Sequence, residues 1–536
     1  MRRRGEYGIL IIAVLFFFMF FGISLNFLKL SQERDYVRTA ADSSFVTIHA
    51  GETWGTVFDR NFNRLTNAKS RIIAVAVPTE ITLGELEQYA ADTANLRMNY
   101  EKAKPFAFEC IKKGEESQGL TFFEIPERYG EEIPAPHIIG YISENKGASG
   151  LEYAYNDLFR SGNVENSVTY STDGFGNILI GGGKNVIRST KDNTGVVTTL
   201  DSRIQKICEE AGNGLKKGAI VVSDVKNGEI LAMASFPHYD INNLSAAFSD
   251  ENSPMINRCL YSFSVGSIFK LVTACEAINE DITNFVCRCS GAYNIGNLTF
   301  GCHNRAGHGI QNMKEAMTNS CNPYFINISQ CLDLQEYRSL AYNFGFGREI
   351  HLCTGMISSA GVLPSVEDLL IPGELANFSF GQGRLTATPL QINQMTCAIA
   401  NGGELNMLRL IRGVTVDGET VGNEKSPLSS RVISEDTARK LRNMMIGAVY
   451  DNENSNAVPE LVRAGAKTST AQTGIYDDKG EELCHGWITG FFPAGAPRYA
   501  VTVLAEHGGY GNDTAAPIFR EIADKIIDME RKMLNR

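Results

Sequence analysis

The chain has 536 residues, 43% apolar and 21% charged, an ordinary globular profile with room for two or more cored domains. Its formal net charge of -11 argues against a general nucleic-acid binder, which would carry a basic stripe.

Arg2, Arg3 and Arg4 precede an apolar run from Gly8 to Leu28, interrupted only by Ser24 and Asn26. That is about the length needed to cross a bilayer as a helix. No short apolar region ends in an Ala-x-Ala site, so an uncleaved anchor is expected rather than a signal peptide. With the arginines held inside, everything after residue 30 is expected outside the cytoplasm.

Residues 31–190 read as a spacer or docking domain of short strands and helices, without an obvious nucleophile, base or metal cluster. The run Gly181-Gly182-Gly183-Lys184 is not a phosphate loop, because Asn185 stands where a Ser or Thr should bind the metal. Within this stretch, Gly55 to Asn61 and His137 to Glu152 bear on the family comparison below.

The third segment, 191–536, opens with Asp201, which can cap a helix carrying Ile204, Ile207 and Cys208 at helical spacing. Ala219 to Val222 and Ile230 to Met233 flank Asn227-Gly228, a strong hairpin signal because both turn positions tolerate positive φ. Trp487 to Phe491 and Tyr499 to Leu504 predict two more strands. Ile518, Ile522 and Ile526 predict a C-terminal amphipathic helix with Pro517 in its first turn. Strands near both ends and a mainly helical middle imply an α+β domain, one antiparallel sheet covered by helices.

Chemistry concentrates at Ser267-Ile268-Phe269-Lys270. If a helix begins at Gly266, the hydroxyl and the amine three positions on share one face, a nucleophile beside a base. The pair works only if burial or a neighbouring cation lowers the amine pKa from about 10.4, and the apolar residues from Ile268 to Ile278 supply that burial. The same tetrad at Ser143 to Lys146 and at Ser223 to Lys226 lies in a polar loop and at a strand end, where neither lysine is expected to be desolvated. Downstream, Ser320-Cys321-Asn322 offers a hydroxyl to relay a proton and an amide to hold a substrate amide. Lys467-Thr468-Ser469-Thr470 offers a cation, hydroxyls for a carboxylate and backbone N–H groups for an oxyanion.

These three ordered motifs resemble those of the penicillin-binding proteins, specifically the class B monofunctional D,D-transpeptidases. The likeness extends over nearly the whole chain, through Gly55 to Asn61, His137 to Glu152, Asn227 to Ser235, Gly381-Gln382-Gly383 and Gly486 to Pro493. It implies a β-lactamase/transpeptidase-like domain (191–536) on an elongated pedestal (31–190) behind one N-terminal transmembrane helix (1–30). It implies that Ser267 attacks the carbonyl between two terminal D-alanines of a peptidoglycan stem peptide while Lys270 takes its proton. Ser320 relays the proton to the leaving amine, Asn322 holds the substrate backbone and Lys467 keeps the cavity positive. Thr468 and Thr470 bind the terminal carboxylate, with the N–H groups of Ser267 and Thr470 as oxyanion hole. The implied partners are stem peptides, β-lactam antibiotics and a membrane glycan polymerase of the SEDS family, with no cofactor. A β-lactamase or β-lactam sensor of the same fold, and a non-catalytic cell-wall scaffold, are the competing functions.

Three positions depart from the family pattern: Ser469 replaces the Gly of Lys-Thr-Gly, Val265 replaces a common proline, and Trp54 stands where an Arg is usual. Strand alternation puts Lys467 and Ser469 on one face, so the Ser469 side chain is expected to crowd the nucleophile and hold the strand slightly away from it. Of the twelve cysteines, Cys287, Cys289 and Cys302 lie near His303 and His308. They lack Cys-x-x-Cys spacing, so no metal is expected, and a Cys289–Cys302 disulfide suits an oxidising exterior better. His485 and His507 are expected to be structural.

Overall fold

A computed structural model describes all residues except 1, 43, 162–164, 174–176, 180–182, 189–193, 417–418, 422–428 and 536. Gly181 and Gly182 of the glycine run therefore lie outside the described residues. Helix α1 (Arg2–Asp42) contains the apolar stretch Gly8–Gln32, long and apolar enough to cross a bilayer.

The chain divides into two compact units, and not at the single cut expected near residue 190. One comprises Met1–Trp54, Lys69–Glu127 and Gly162–Asp192; the other comprises Gly55–Ala68, Arg128–Ser161 and Asn193–Arg536. The first unit holds two three-stranded sheets, Phe45–Glu52 with Glu165–Ser171 and Lys184–Ile187, and Phe106–Cys110 with Lys69–Ala76 and Leu120–Glu127. Ile73, Val75, Phe123 and Ile125 pack with Val168 and Tyr170 in one apolar core.

The second unit takes in the two family-like segments that the sequence reading assigned to the pedestal, and buried ion pairs hold them there. Glu152 is buried against Arg128 at 2.7 Å, and Arg128 also donates to the carbonyl of Gly55. Asp59 accepts from the Ser202 hydroxyl at 2.7 Å, while Arg60 pairs at 3.0 Å with Glu229, which also meets Arg409 and Arg412. Each buried charge is matched by several donors, the condition under which burying it is tolerable.

The core of this unit is an antiparallel sheet. Its helix α2 (Ser202–Ala211) is capped by Asp201, which accepts from the backbone N–H of Arg203. Strands β1 (Gly218–Asp224) and β2 (Ile230–Phe236) form the expected hairpin, with Gly228 alone of the Asn-Gly pair at positive φ. Helix α3 (Lys270–Asn279) begins at Lys270, α4 (Asn322–Ser329) begins at the last residue of the second motif, and α5 (Pro389–Ala400) starts with a Thr388/Gln391 capping box. Strands β3 (Gly465–Tyr476), β4 (Glu482–Phe492) and β5 (Tyr499–Ala505) complete the sheet in the order β2-β1-β5-β4-β3. The final helix α6 (Gly511–Leu534) begins earlier than its periodicity suggested, which places Pro517 inside it.

Ile204 and Cys208 of α2 and Phe519, Ile522 and Ile526 of α6 pack on the sheet through Ile220, Val222, Ile488 and Val503. Against the sheet, Asn393 of α5 bonds the Ser223 hydroxyl and the carbonyls of Val221 and Ala500. This accounts for Ser223, whose tetrad is a buried structural serine followed by an exposed Lys226. The strand that carries Lys467 is thereby the sheet edge, free to face a cleft.

Candidate active site

A 3-10 turn, Gly266–Phe269, leads into α3. Three residues per turn bring side chains at i and i+3 into line, so Ser267 and Lys270 share a face more closely than α-helical spacing alone would give. Gly266 has φ +65°, a conformation that favours glycine, and a Cβ there would lie 2.3 Å from the Ser469 hydroxyl oxygen. The backbone around the turn is pinned from three sides. Trp487 Nε1 donates to Ser264 O at 3.0 Å, Ser469 Oγ donates to Val265 O at 2.8 Å, and Gly266 N donates to Gly381 O at 2.7 Å.

Ser267 is half-buried on the wall of a cleft of about 700 Å³. Lys270 is fully buried, and its Nζ donates to Ser320 O at 2.6 Å and Asn322 Oδ1 at 2.7 Å, with Ser320 Oγ at 3.3 Å. The two short contacts go to carbonyl oxygens, which only accept. A neutral amine has two N–H bonds, so both are committed there and its lone pair is left for a hydroxyl. Burial holds the Lys270 pKa well below its ordinary value, and the charge of Lys467 lowers it further. Asn322 is itself fixed, because its Nδ2 donates to Gly301 O at 3.1 Å.

On β3, Lys467 Nζ donates to Ser320 Oγ at 3.0 Å and to Thr468 O at 3.0 Å. Burial pushes its pKa down to about 8. Two buried lysines thus flank one serine hydroxyl, both with depressed pKa values, and the charge of Lys467 further disfavours a second charge on Lys270. Ser320 has φ +47°, a left-handed conformation unusual for a side-chain-bearing residue, found here where three motifs converge.

The alternation expected for β3 is observed: Lys467 and Ser469 are buried, the first reaching Ser320 and the second Val265, whereas Thr468 and Thr470 are half-exposed on the cleft. The Ser469 assignment changes, however. Its hydroxyl is committed to Val265 O, so the side chain is a strut between β3 and the nucleophile turn rather than a carboxylate ligand or an obstruction. Thr470 Oγ1 also accepts from Gly511 N, the first residue of α6, at 3.3 Å.

Sequence reasoning missed the rest of the cleft. Asn304, Asn452 and Asn454 line it from two loops and Tyr510 and Asn512 from the start of α6, and no motif marks them. The Cys289–Cys302 bridge does not form in the structure, where both are free thiols. His485 and His507 stack with ring centroids 5.0 Å apart, and His485 Nδ1 accepts from His507 N.

Residues 218–524 match the family described as the penicillin binding protein transpeptidase domain. The chain is 28% identical to stage V sporulation protein D of Bacillus subtilis, over 95% of its own length and 84% of that protein. It is 27% identical to the peptidoglycan D,D-transpeptidase MrdA of Haemophilus influenzae, over 76% of this chain and 70% of that one. Among solved structures, the D,D-transpeptidase domain of a peptidoglycan glycosyltransferase from Eggerthella lenta matches with a TM-score of 0.66 at 24% identity, covering 90% of this chain and 99% of that one. Penicillin-binding protein PBP2 of Helicobacter pylori, solved with MreC, matches with a TM-score of 0.65 at 20% identity, covering 91% and 99%. At these identities the structural likeness establishes the fold.

Proposed function

Because the chain belongs to the penicillin-binding protein transpeptidase family, a family of peptidoglycan-crosslinking enzymes, we propose that Ser267 is its acylated nucleophile and Lys270 the base that takes the hydroxyl proton. The observation that carries this reading is the buried Lys270 amine, with both N–H bonds directed at Ser320 O and Asn322 Oδ1. Ser267 Oγ bonds to the carbonyl carbon of the penultimate D-alanine of a donor stem peptide, and its proton passes to Lys270. The C–N bond to the terminal D-alanine then breaks. The leaving amine receives the proton through Ser320 Oγ, which bonds both lysine amines. An acceptor amine next attacks the acyl carbon, its C–N bond forms the crosslink as the ester C–Oγ bond breaks, and the proton it loses returns to Ser267 Oγ.

In this reading Lys467 holds positive charge beside Ser320, Asn322 fixes Lys270 and presents its amide to the substrate, and Thr468 and Thr470 take the terminal carboxylate. The N–H groups of Ser267 and Thr470 form the oxyanion hole. A β-lactam acylates the same serine. The apolar helix serves as a single-pass anchor, with Arg2 to Arg4 on the cytoplasmic side and the remainder outside. A SEDS-family polymerase supplies the glycan strand.

Labelling membranes with a fluorescent penicillin tests the assignment. A long-lived adduct is expected on the parent and none on Ser267→Ala. Equal labelling of Ser267→Ala would overturn the nucleophile, rapid turnover of the adduct would indicate a β-lactamase, and no labelling of the parent would indicate a scaffold.

A further inference from the structure

The middle residue of the second motif, Cys321, has no part in the acyl transfer described above, yet it is completely buried beside two other buried cysteines. The Sγ atoms of Cys289, Cys302 and Cys321 and a ring nitrogen of His308 all lie within 4.8 Å of one another. His308 Nδ1 is 3.5 Å from Cys302 Sγ. All three thiols are free.

We propose that Cys289, Cys302, His308 and Cys321 hold a structural zinc ion that locks the Ser320–Asn322 loop in its working geometry. Three thiolates and one imidazole are a donor set suited to zinc, and four protein ligands close the coordination sphere, as in structural rather than catalytic sites. Tetrahedral zinc with bonds of about 2.3 Å to sulfur sets the sulfurs about 3.8 Å apart, so the four side chains need close by only about 1 Å.

The chain's path fits this role. Cys289 ends the strand Cys287–Cys289, which pairs with Gly309–Gln311, and Cys302 directly follows the hairpin Ala292–Ile295 with Leu298–Gly301. His308 lies between them in a polar loop with little apolar anchorage of its own. Cys321 is the N-cap of α4 and stands between Ser320 and Asn322 in the chain. The ion would therefore join the excursion, residues 287–311, whose Tyr293, Ile295 and Phe300 pack on Ile326 and Phe380, to the loop that carries Ser320 and Asn322. The excursion supplies His303, Asn304 and His308 to the cleft wall and Gly301 O to Asn322. Cys287 and His303 are outside the four-ligand group. The sequence groups Cys289, Cys302 and His308 without Cys-x-x-Cys spacing, and the expectation of no metal changes because folding adds Cys321 as the fourth donor.

The test uses the detergent-solubilised full chain, purified without chelator. Metal analysis should find about one zinc per chain in the parent and in Cys287→Ser and Cys331→Ser, and less than about a tenth of that in Cys302→Ser and His308→Ala. After exchange with cobalt chloride, the parent should show thiolate-to-cobalt charge transfer and tetrahedral visible bands, a readout that needs no variant to fold. A reduced parent that takes up no zinc sulfate, an octahedral cobalt spectrum, or a Cys289–Cys302 disulfide in non-reducing peptide maps would each overturn the site. The effect on catalysis rests on the transpeptidase reading. Zinc removal by phenanthroline should slow penicillin labelling of Ser267 several-fold, and zinc should restore it. Zinc-loaded parent that never labels would sink the acyl-enzyme reading and leave the metal site standing.

Discussion

Ser469 Oγ donates a 2.8 Å hydrogen bond to the carbonyl oxygen of Val265, the residue two before Ser267, the proposed nucleophile. The bond joins the sheet-edge strand β3 to the turn whose glycine, Gly266, has no room for a Cβ beside that same hydroxyl. Serine in place of the usual glycine therefore fastens the strand instead of displacing it.

Replacing Ser469 with Gly should remove this bond and add the conformational freedom of glycine in a strand, for a cost of about 1–2 kcal/mol in stability. Acylation by penicillin should be slower or unchanged, not faster, because nothing is relieved by the deletion. Stopped-flow acylation rates of Ser469→Gly and Ser469→Ala beside the parent check this, and a tens-fold acceleration would restore the crowding argument.

The two active-site lysines predict a bell-shaped pH profile. Lys270 must be neutral to accept the proton, so acylation rises as pH rises through its depressed pKa. Lys467 contributes its charge only while protonated, so the rate should fall above about pH 8. Lys467→Ala should lose most of the rate and with it the alkaline limb, as second-order acylation constants measured across pH would reveal.

Asn322→Asp places a carboxylate where a carbonyl oxygen now accepts at 2.7 Å from the Lys270 amine. A neighbouring anion favours the ammonium form, so the Lys270 pKa should rise and the acid limb should move to higher pH. At neutral pH the rate falls roughly tenfold for each unit of that shift, once the pKa passes the ambient pH. An acid limb unmoved in Asn322→Asp would show that Lys270 is not the group titrating.

Glu229 is buried against Arg60, Arg409 and Arg412, far along the chain from the catalytic motifs. Glu229→Ala leaves three guanidinium groups without their shared anion and should cost about 3–5 kcal/mol, whereas Arg412→Ala, which leaves two partners in place, should cost less. Denaturant unfolding of the solubilised chain ranks the two. Equal losses would mean that the cluster contributes nothing as a network.

The sequence by itself carried the placement of the motif side chains, because each motif is local. Ser267 and Lys270 are one turn apart, Ser320 and Asn322 flank one residue, and Lys467 to Thr470 alternate along one strand, so spacing alone places their side chains. It also carried the hairpin at Gly228 and the cap at Asp201, where backbone conformation follows from one or two residues. The tertiary structure decided what depends on contacts between distant segments. Residues 55–68 join the second unit because Asp59 and Arg60 find Ser202 and Glu229 there, and residues 128–161 because Ala135 N donates to Glu209 and Tyr239 OH donates to Pro136 O, contacts that no linear boundary signals. Ser469 became a strut because the acceptor it meets, Val265 O, is a backbone atom of another element. Cys321 stands between Ser320 and Asn322 in the chain, and only folding brings Cys289, Cys302 and His308 to it. Ligand spacing is readable only when a site is built within one loop. Here packing, not proximity along the chain, brings the four donors together.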